Sequence, residues 1–320
     1  MLVATAAALV ATETVARGHE GTTVFPWDEP GRGFATEPNT RGANNAGFHE
    51  RELPASRDPS VRRVAVVGDS MTWGTGTAEE TWTRAAEHDL GSAWQVLNFG
   101  HYGYDTSQAA ATMRHRVWAY EPDVVVYAAY GNDLVPTRLI TVGEPPLHAW
   151  VAATGGILPP WARRASAVAR KVEGVVMARA VDDVEDEGAF EAGVADMAAQ
   201  AAAHGVPLIV YGLVPHILAS PRLDGCIRTD GTSGRCVEAL AQTRRQAEIV
   251  RGMGLVWASA LPYLRGSGEE SFFPADPGDW QHPSPAGDRY IGAGMADVLL
   301  RHQGGTPLLD VDDEPVPLRP

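Results

Sequence analysis

Four short stretches carry residues able to do hydrolytic chemistry. The first is VAVVGDSMTWGTG, residues 64–76, where an apolar run ends abruptly in Gly68-Asp69-Ser70. The second is NFGHYGYDTS with Gly100 and Gly103, and the third YGND with Gly131, Asn132 and Asp133. The fourth is DWQHPS, with Asp279 and His282. A serine hydroxyl is a weak nucleophile until a base takes its proton, and His282 is a base of the right kind. An imidazole needs a partner on its other ring nitrogen to fix tautomer and orientation, which Asp279 supplies from three residues earlier. A tetrahedral intermediate needs fixed donors, and the Ser70 N–H, the Gly103 N–H and the Asn132 side-chain amide are the ones on offer. His101 and Tyr102, beside Gly103, are candidate substrate-binding residues. Asp69 reads as a structural acid that holds the turn.

These groups need a frame that gathers them. Val61–Val67, Trp94–Asn98, Asp123–Ala129, Val206–Leu213 and Leu255–Ser259 read as five strands, several of them β-branched runs of the buried parallel kind. Helices are expected from Glu79 to a stop at Gly91, from a Thr106 or Ser107 cap to Tyr120, over 188–204, over Val237–Gly252, and from Ser284 or Pro285 to about His302. Alternating strands and helices predict an α/β protein: a parallel sheet with helices on both faces. In such a sheet, sites form beyond the carboxyl ends of the strands. Three of the four stretches follow a strand, and the fourth enters the last helix. Residues 1–60 form an N-terminal helix and extended lead-in, 61–303 the main domain with a Pro-rich insertion at 134–185, and 304–320 a tail whose Pro- and Asp-rich composition predicts loose order.

Taken together, Gly68-Asp69-Ser70, the Gly103 turn, Gly131-Asn132-Asp133 and Asp279-x-x-His282 resemble the SGNH (GDSL-type) hydrolase family, in family order over residues 68–282. The resemblance implies a flavodoxin-like three-layer α/β/α fold with a five-stranded sheet, and a serine esterase mechanism without metal or cofactor. It assigns Ser70 as nucleophile, Asp279 and His282 as its partners, and Ser70, Gly103 and Asn132 as the oxyanion hole. Met71 stands where the family's label has leucine. The implied activity is hydrolysis of an acyl ester, on a short-chain or acylated-carbohydrate substrate. O-acyl transfer to a polysaccharide uses the same residues, and a catalytically silent carbohydrate-binding module uses the same fold.

Other chemistries fit poorly. No lysine follows Gly74 or Gly76 as a phosphate-binding loop requires, and Thr72 stands where the G-x-S-x-G elbow has its last glycine. With 26 basic against 40 acidic residues in 320, the net charge of −14 disfavours nucleic acid and anionic surfaces as partners. Small molecules or glycans are the expected partners, and no obligate protein partner is implied. Cys226 and Cys236 lie in a Gly- and Asp-rich stretch, where a disulfide closing a surface loop is favoured over two free thiols. Leu2–Ala11 reads equally as an ordinary amphipathic helix or as part of a membrane anchor. PNTRGANNAGFHERE, residues 38–52, resembles the lead-in of anchored bacterial members of that family, so an extracytoplasmic location is expected, with the N-terminus at a membrane or the protein secreted.

Overall fold

A computed structural model describes residues 10–15, 24–26, 32, 34–36, 38–39, 42–53, 56–134, 166, 168–169, 187–215, 218, 233–266 and 281–317. Two short strands of the lead-in, β1 (Val24–Pro26) and β2 (Phe34–Thr36), pair antiparallel. Five further strands make one parallel sheet: β3 (Arg62–Gly68), β4 (Trp94–Gly100), β5 (Val124–Ala129), β6 (Leu208–Gly212) and β7 (Val256–Ser259). Their spatial order is β4-β3-β5-β6-β7. The helices are α1 (Ser70–Trp73), α2 (Trp82–Leu90), α3 (Thr106–Thr112), α4 (Glu187–His204), α5 (Ser233–Gly252), α6 (Leu261–Gly266) and α7 (Pro285–Gly304).

A parallel sheet is stable only when both faces are covered, because its crossovers lay helices on each side. The strands alternate accordingly. Val64, Val66 and Val126 join Trp82 of α2, Leu261 of α6 and Ile291 and Met295 of α7 in one cluster. Ala65, Val67, Val125 and Tyr127 join Ala110 of α3, Phe190 and Met197 of α4 and Val250 of α5 in the other. The result is the three-layer, flavodoxin-like arrangement expected. The chain leaves β3 for β4 on one side, then returns across β3 to β5 on the other. The switch point therefore lies where β3 and β5 end side by side, and there an open sheet leaves a crevice.

Several boundaries differ from the expected ones, each for a local reason. The helix expected from Glu79 begins at Trp82, because Thr77–Glu80 closes on itself as a separate 3₁₀ turn: the Thr77 N–H and hydroxyl both donate to Glu80 Oε2, each at 2.9 Å. Asp105, rather than Thr106 or Ser107, caps α3, accepting from the Gln108 N–H at 3.0 Å. That helix then widens into a π turn at Met113–Val117 and ends as 3₁₀ with Glu121 at φ 49°. Helix α5 starts at Ser233, which puts Cys236 on a helix instead of in a loop; Cys226 lies outside the described residues. The insertion at 134–185 also lies almost wholly outside them. No helix among the described residues is long and apolar enough to cross a membrane.

The tail is the largest correction. The segment 305–317 is tied to the domain at three points: Val311 is 2% exposed, the Ser259 N–H donates to Leu309 O at 2.8 Å, and the Val316 N–H donates to Pro262 O at 3.0 Å. Composition averages over a segment, whereas Leu308, Leu309, Val311 and Val316 pack individually against the core beside edge strand β7 and α6.

Candidate active site

The turn after β3 is built by close approach. A Cβ on Gly68 would stand 2.3 Å from Thr72 Oγ1 and 2.9 Å from Ala128 O, so only glycine lets β3 end against β5 while the chain folds back into α1. Asp69 caps α1, its Oδ1 accepting from the Met71 N–H at 2.9 Å. Ser70 is the first residue of that helix, whose four residues are too few for a useful macrodipole. The turn offers instead a directed N–H.

His282 reaches Ser70 across 212 residues of chain, with Nε2 2.8 Å from Oγ. Two local ties bring it there. Ser284 caps α7 by accepting from the Gly287 N–H at 3.3 Å, and the Thr75 hydroxyl donates to Pro283 O at 3.0 Å. The second tie joins the loop after α1 to the residue next to His282. That 2.8 Å separation is within the reach a general base needs of the hydroxyl it activates. Asp279 lies outside the described residues.

The loop after β4 is drawn beside Ser70 by the His101 N–H, which donates to Gly68 O at 3.1 Å. Its two glycines differ. The Gly100 N–H is taken by Asn98 Oδ1 at 2.9 Å, whereas Gly103, at φ 71°, has an N–H with no hydrogen bond among the described residues. The Ser70 N–H is likewise unbonded there. Asn132 stands in the 3₁₀ turn Gly131–Leu134 directly after β5, half-buried. Ser70 and Asn132 thus follow the adjacent strands β3 and β5, and Gly103 follows β4 on the other side of β3.

Three buried carboxyls and an imidazole set the electrostatics. Burial pushes Asp69 up to about 6, opposed by the Met71 N–H, by nearby His282 and by the Asn132 side chain. Asp69 Oδ2 and Asn132 Oδ1, both acceptors, are buried without a hydrogen-bond partner among the described residues. Asp133, whose Oδ2 accepts from the Tyr130 N–H at 2.8 Å, is held well above the usual carboxylate range by burial and by the neighbouring Asp69 charge. Asp105 adds a weaker push in the same direction.

His101 is fully buried, so in this structure its side chain presents no surface to a substrate. Its Nδ1–H donates to Tyr102 O at 2.9 Å and its Nε2 accepts from the Thr36 N–H at 2.7 Å, which ties the lead-in to the Gly103 loop. Burial, with Arg32 nearby, lowers it to about 3, so it stays neutral. Tyr102 is half-buried, packs on Trp73 and donates its hydroxyl to Gly74 O at 3.2 Å. Sequence reasoning passed over Asn98, fully buried, whose Nδ2 donates to Thr72 O at 2.8 Å and so joins β4 to α1. An amide inside an apolar strand was the available signal, since a buried amide must find partners.

No family model and no curated protein matches the sequence. Among solved structures, the fold is similar to a putative lipolytic protein of the G-D-S-L family from Desulfitobacterium hafniense DCB-2. The identity is 14% and the TM-score 0.44, over 74% of this chain and 98% of that one. It is similar to the M. smegmatis aryl esterase in its inhibitor-bound form at 15% identity and TM-score 0.43, over 75% of this chain and 99% of that one. A carbohydrate acetylesterase family member from Sinorhizobium meliloti overlaps at 14% identity and TM-score 0.42, over 77% and 100%.

Proposed function

We propose that this protein is a serine hydrolase that cleaves carboxylic esters through an acyl-enzyme on Ser70. The 2.8 Å contact between Ser70 Oγ and His282 Nε2, at the switch point of the sheet, carries the reading. Ser70 Oγ attacks the acyl carbon while its proton passes to His282 Nε2. The carbonyl oxygen becomes an oxyanion, and the N–H groups of Ser70 and Gly103, unbonded among the described residues, are with the Asn132 amide the donors for it. Collapse breaks the bond to the alcohol oxygen, which leaves with the proton from His282. Water then repeats the sequence on the acyl-enzyme, its proton going to His282 and back to Ser70 Oγ as the acid departs. Asp279 would hold His282 Nδ1, a role that rests on the family resemblance. The same resemblance supports a short acyl group or an acylated sugar as substrate.

Hydrolysis of p-nitrophenyl esters from acetyl to palmitoyl, and of acetylated oligosaccharides, by wild type and Ser70→Ala tests this. The wild type is expected to turn over at least one chain length, and Ser70→Ala to lose about 10³-fold or more in kcat. A wild type inactive on every ester, or a Ser70→Ala variant equal to it, overturns the assignment. Acylated glycan formed when an acceptor sugar is supplied would mark transfer in place of hydrolysis.

A further inference from the structure

Asp69 is more than a cap requires. Capping α1 uses one oxygen, Oδ1 on the Met71 N–H, and serine, threonine or asparagine would do that as well. Yet the residue is a carboxylate, only 2% exposed, whose Oδ2 has no hydrogen-bond partner among the described residues. A buried charged oxygen left over in this way is costly unless nearby groups make use of it. Within electrostatic reach of it are His282, whose Nε2 lies 2.8 Å from the Oγ of the adjoining Ser70; Asn132 and Asp133 from the turn after β5; and the Tyr127 phenol from β5 itself.

We propose that Asp69 is a charged positioning residue of the hydrolytic site, whose carboxylate stabilises the imidazolium that forms on His282 and orients the Asn132 amide. The proposal rests on the hydrolase reading. When His282 takes the Ser70 proton it becomes a cation, and a fixed carboxylate in a low-dielectric pocket favours that state. The Asn132 amide nitrogen carries two N–H groups, so one turned to Asp69 leaves the other for the oxyanion. Burial and the Asp69 charge both push Asp133 well above the usual carboxylate range, and its Oδ2 already accepts from the Tyr130 N–H, so Asp69 has the oxygen left over for this role. Asp69, at about 6, is ionised at pH 7 and above, and takes up a proton as the pH falls through that value.

The test is kcat and KM against pH for Asp69→Asn, which keeps the size and the oxygen that accepts from Met71, with thermal melting to verify the fold. Plateau kcat is expected to fall about tenfold or more, while KM changes less than about twofold. The acid limb of kcat/KM should also become shallower by one proton, since the group titrating at about 6 is gone. Asp69→Ser, another capping residue without charge, gives the same two results if the asparagine variant fails to fold. An acid limb of unchanged slope, or an unchanged kcat, in a folded variant of an active enzyme overturns the proposal and leaves the hydrolase assignment standing. A wild type without ester hydrolysis removes both.

Discussion

Asp288 lies in the first turn of α7, buried, with neither carboxyl oxygen hydrogen-bonded among the described residues. Burial alone pushes it well above its ordinary value of 3.8. The folded protein therefore keeps a proton that the unfolded chain gives up, and the stability this lends is complete below 3.8 and is lost as the pH rises towards the folded value. While the native carboxyl stays protonated, the loss runs at about 1.4 kcal/mol per pH unit. The interval from pH 5 to pH 7 lies above the ordinary value, where the loss is read. Asp288→Asn has the same shape and does not titrate, so its advantage over wild type should grow from pH 5 to pH 7. Urea unfolding of both proteins at the two pH values measures it, provided the slopes with denaturant agree. A difference between variant and wild type that is the same at pH 5 and pH 7 would refute the reasoning, since it would mean that the native carboxyl is already ionised at pH 5.

Two further outcomes follow from packing. His101→Leu leaves the Thr36 N–H without its acceptor, which should cost about 1–3 kcal/mol in urea unfolding at pH 7. Because His101 is depressed from 6.5 to about 3, its contribution is complete above 6.5 and shrinks as the pH falls towards 3, so the gap to wild type should narrow at pH 4. Val311→Asp places a carboxylate where the side chain is 2% exposed and should lower stability by about 3 kcal/mol or more. An unchanged melting temperature would show that residues 305–317 do not belong to the cooperative fold.

The strands were legible because they are runs of β-branched and apolar residues with glycine or polar residues at their ends, a pattern that a buried parallel strand imposes on its own segment. Of the candidate site, the same punctuation singled out Ser70, Gly103, Asn132 and His282. Element ends were less legible. The Thr77–Glu80 capping box and the π turn at Met113–Val117 depend on which of several hydrogen bonds a short segment chooses. Asp69 passed for a simple turn residue because nothing local distinguishes an ordinary cap from one whose second carboxylate oxygen is buried without a hydrogen-bond partner among the described residues.

The sequence by itself determined which residues could be nucleophile, base and oxyanion donor, and that they would emerge at strand ends and, for the base, at the entry to the last helix. These properties belong to side-chain type and to short-range pattern. Only the tertiary structure decided that Ser70 and His282 meet at 2.8 Å, that the Gly103 N–H is unbonded among the described residues while that of Gly100 is taken by Asn98, and that His101 is sealed in the core. It also decided that the acidic tail is packed, through a few apolar side chains that composition had averaged away. The reason is common to all four. Distance, donor availability and burial are set by elements far apart in the chain, held together by the order β4-β3-β5-β6-β7 and by helices clamped on both of its faces.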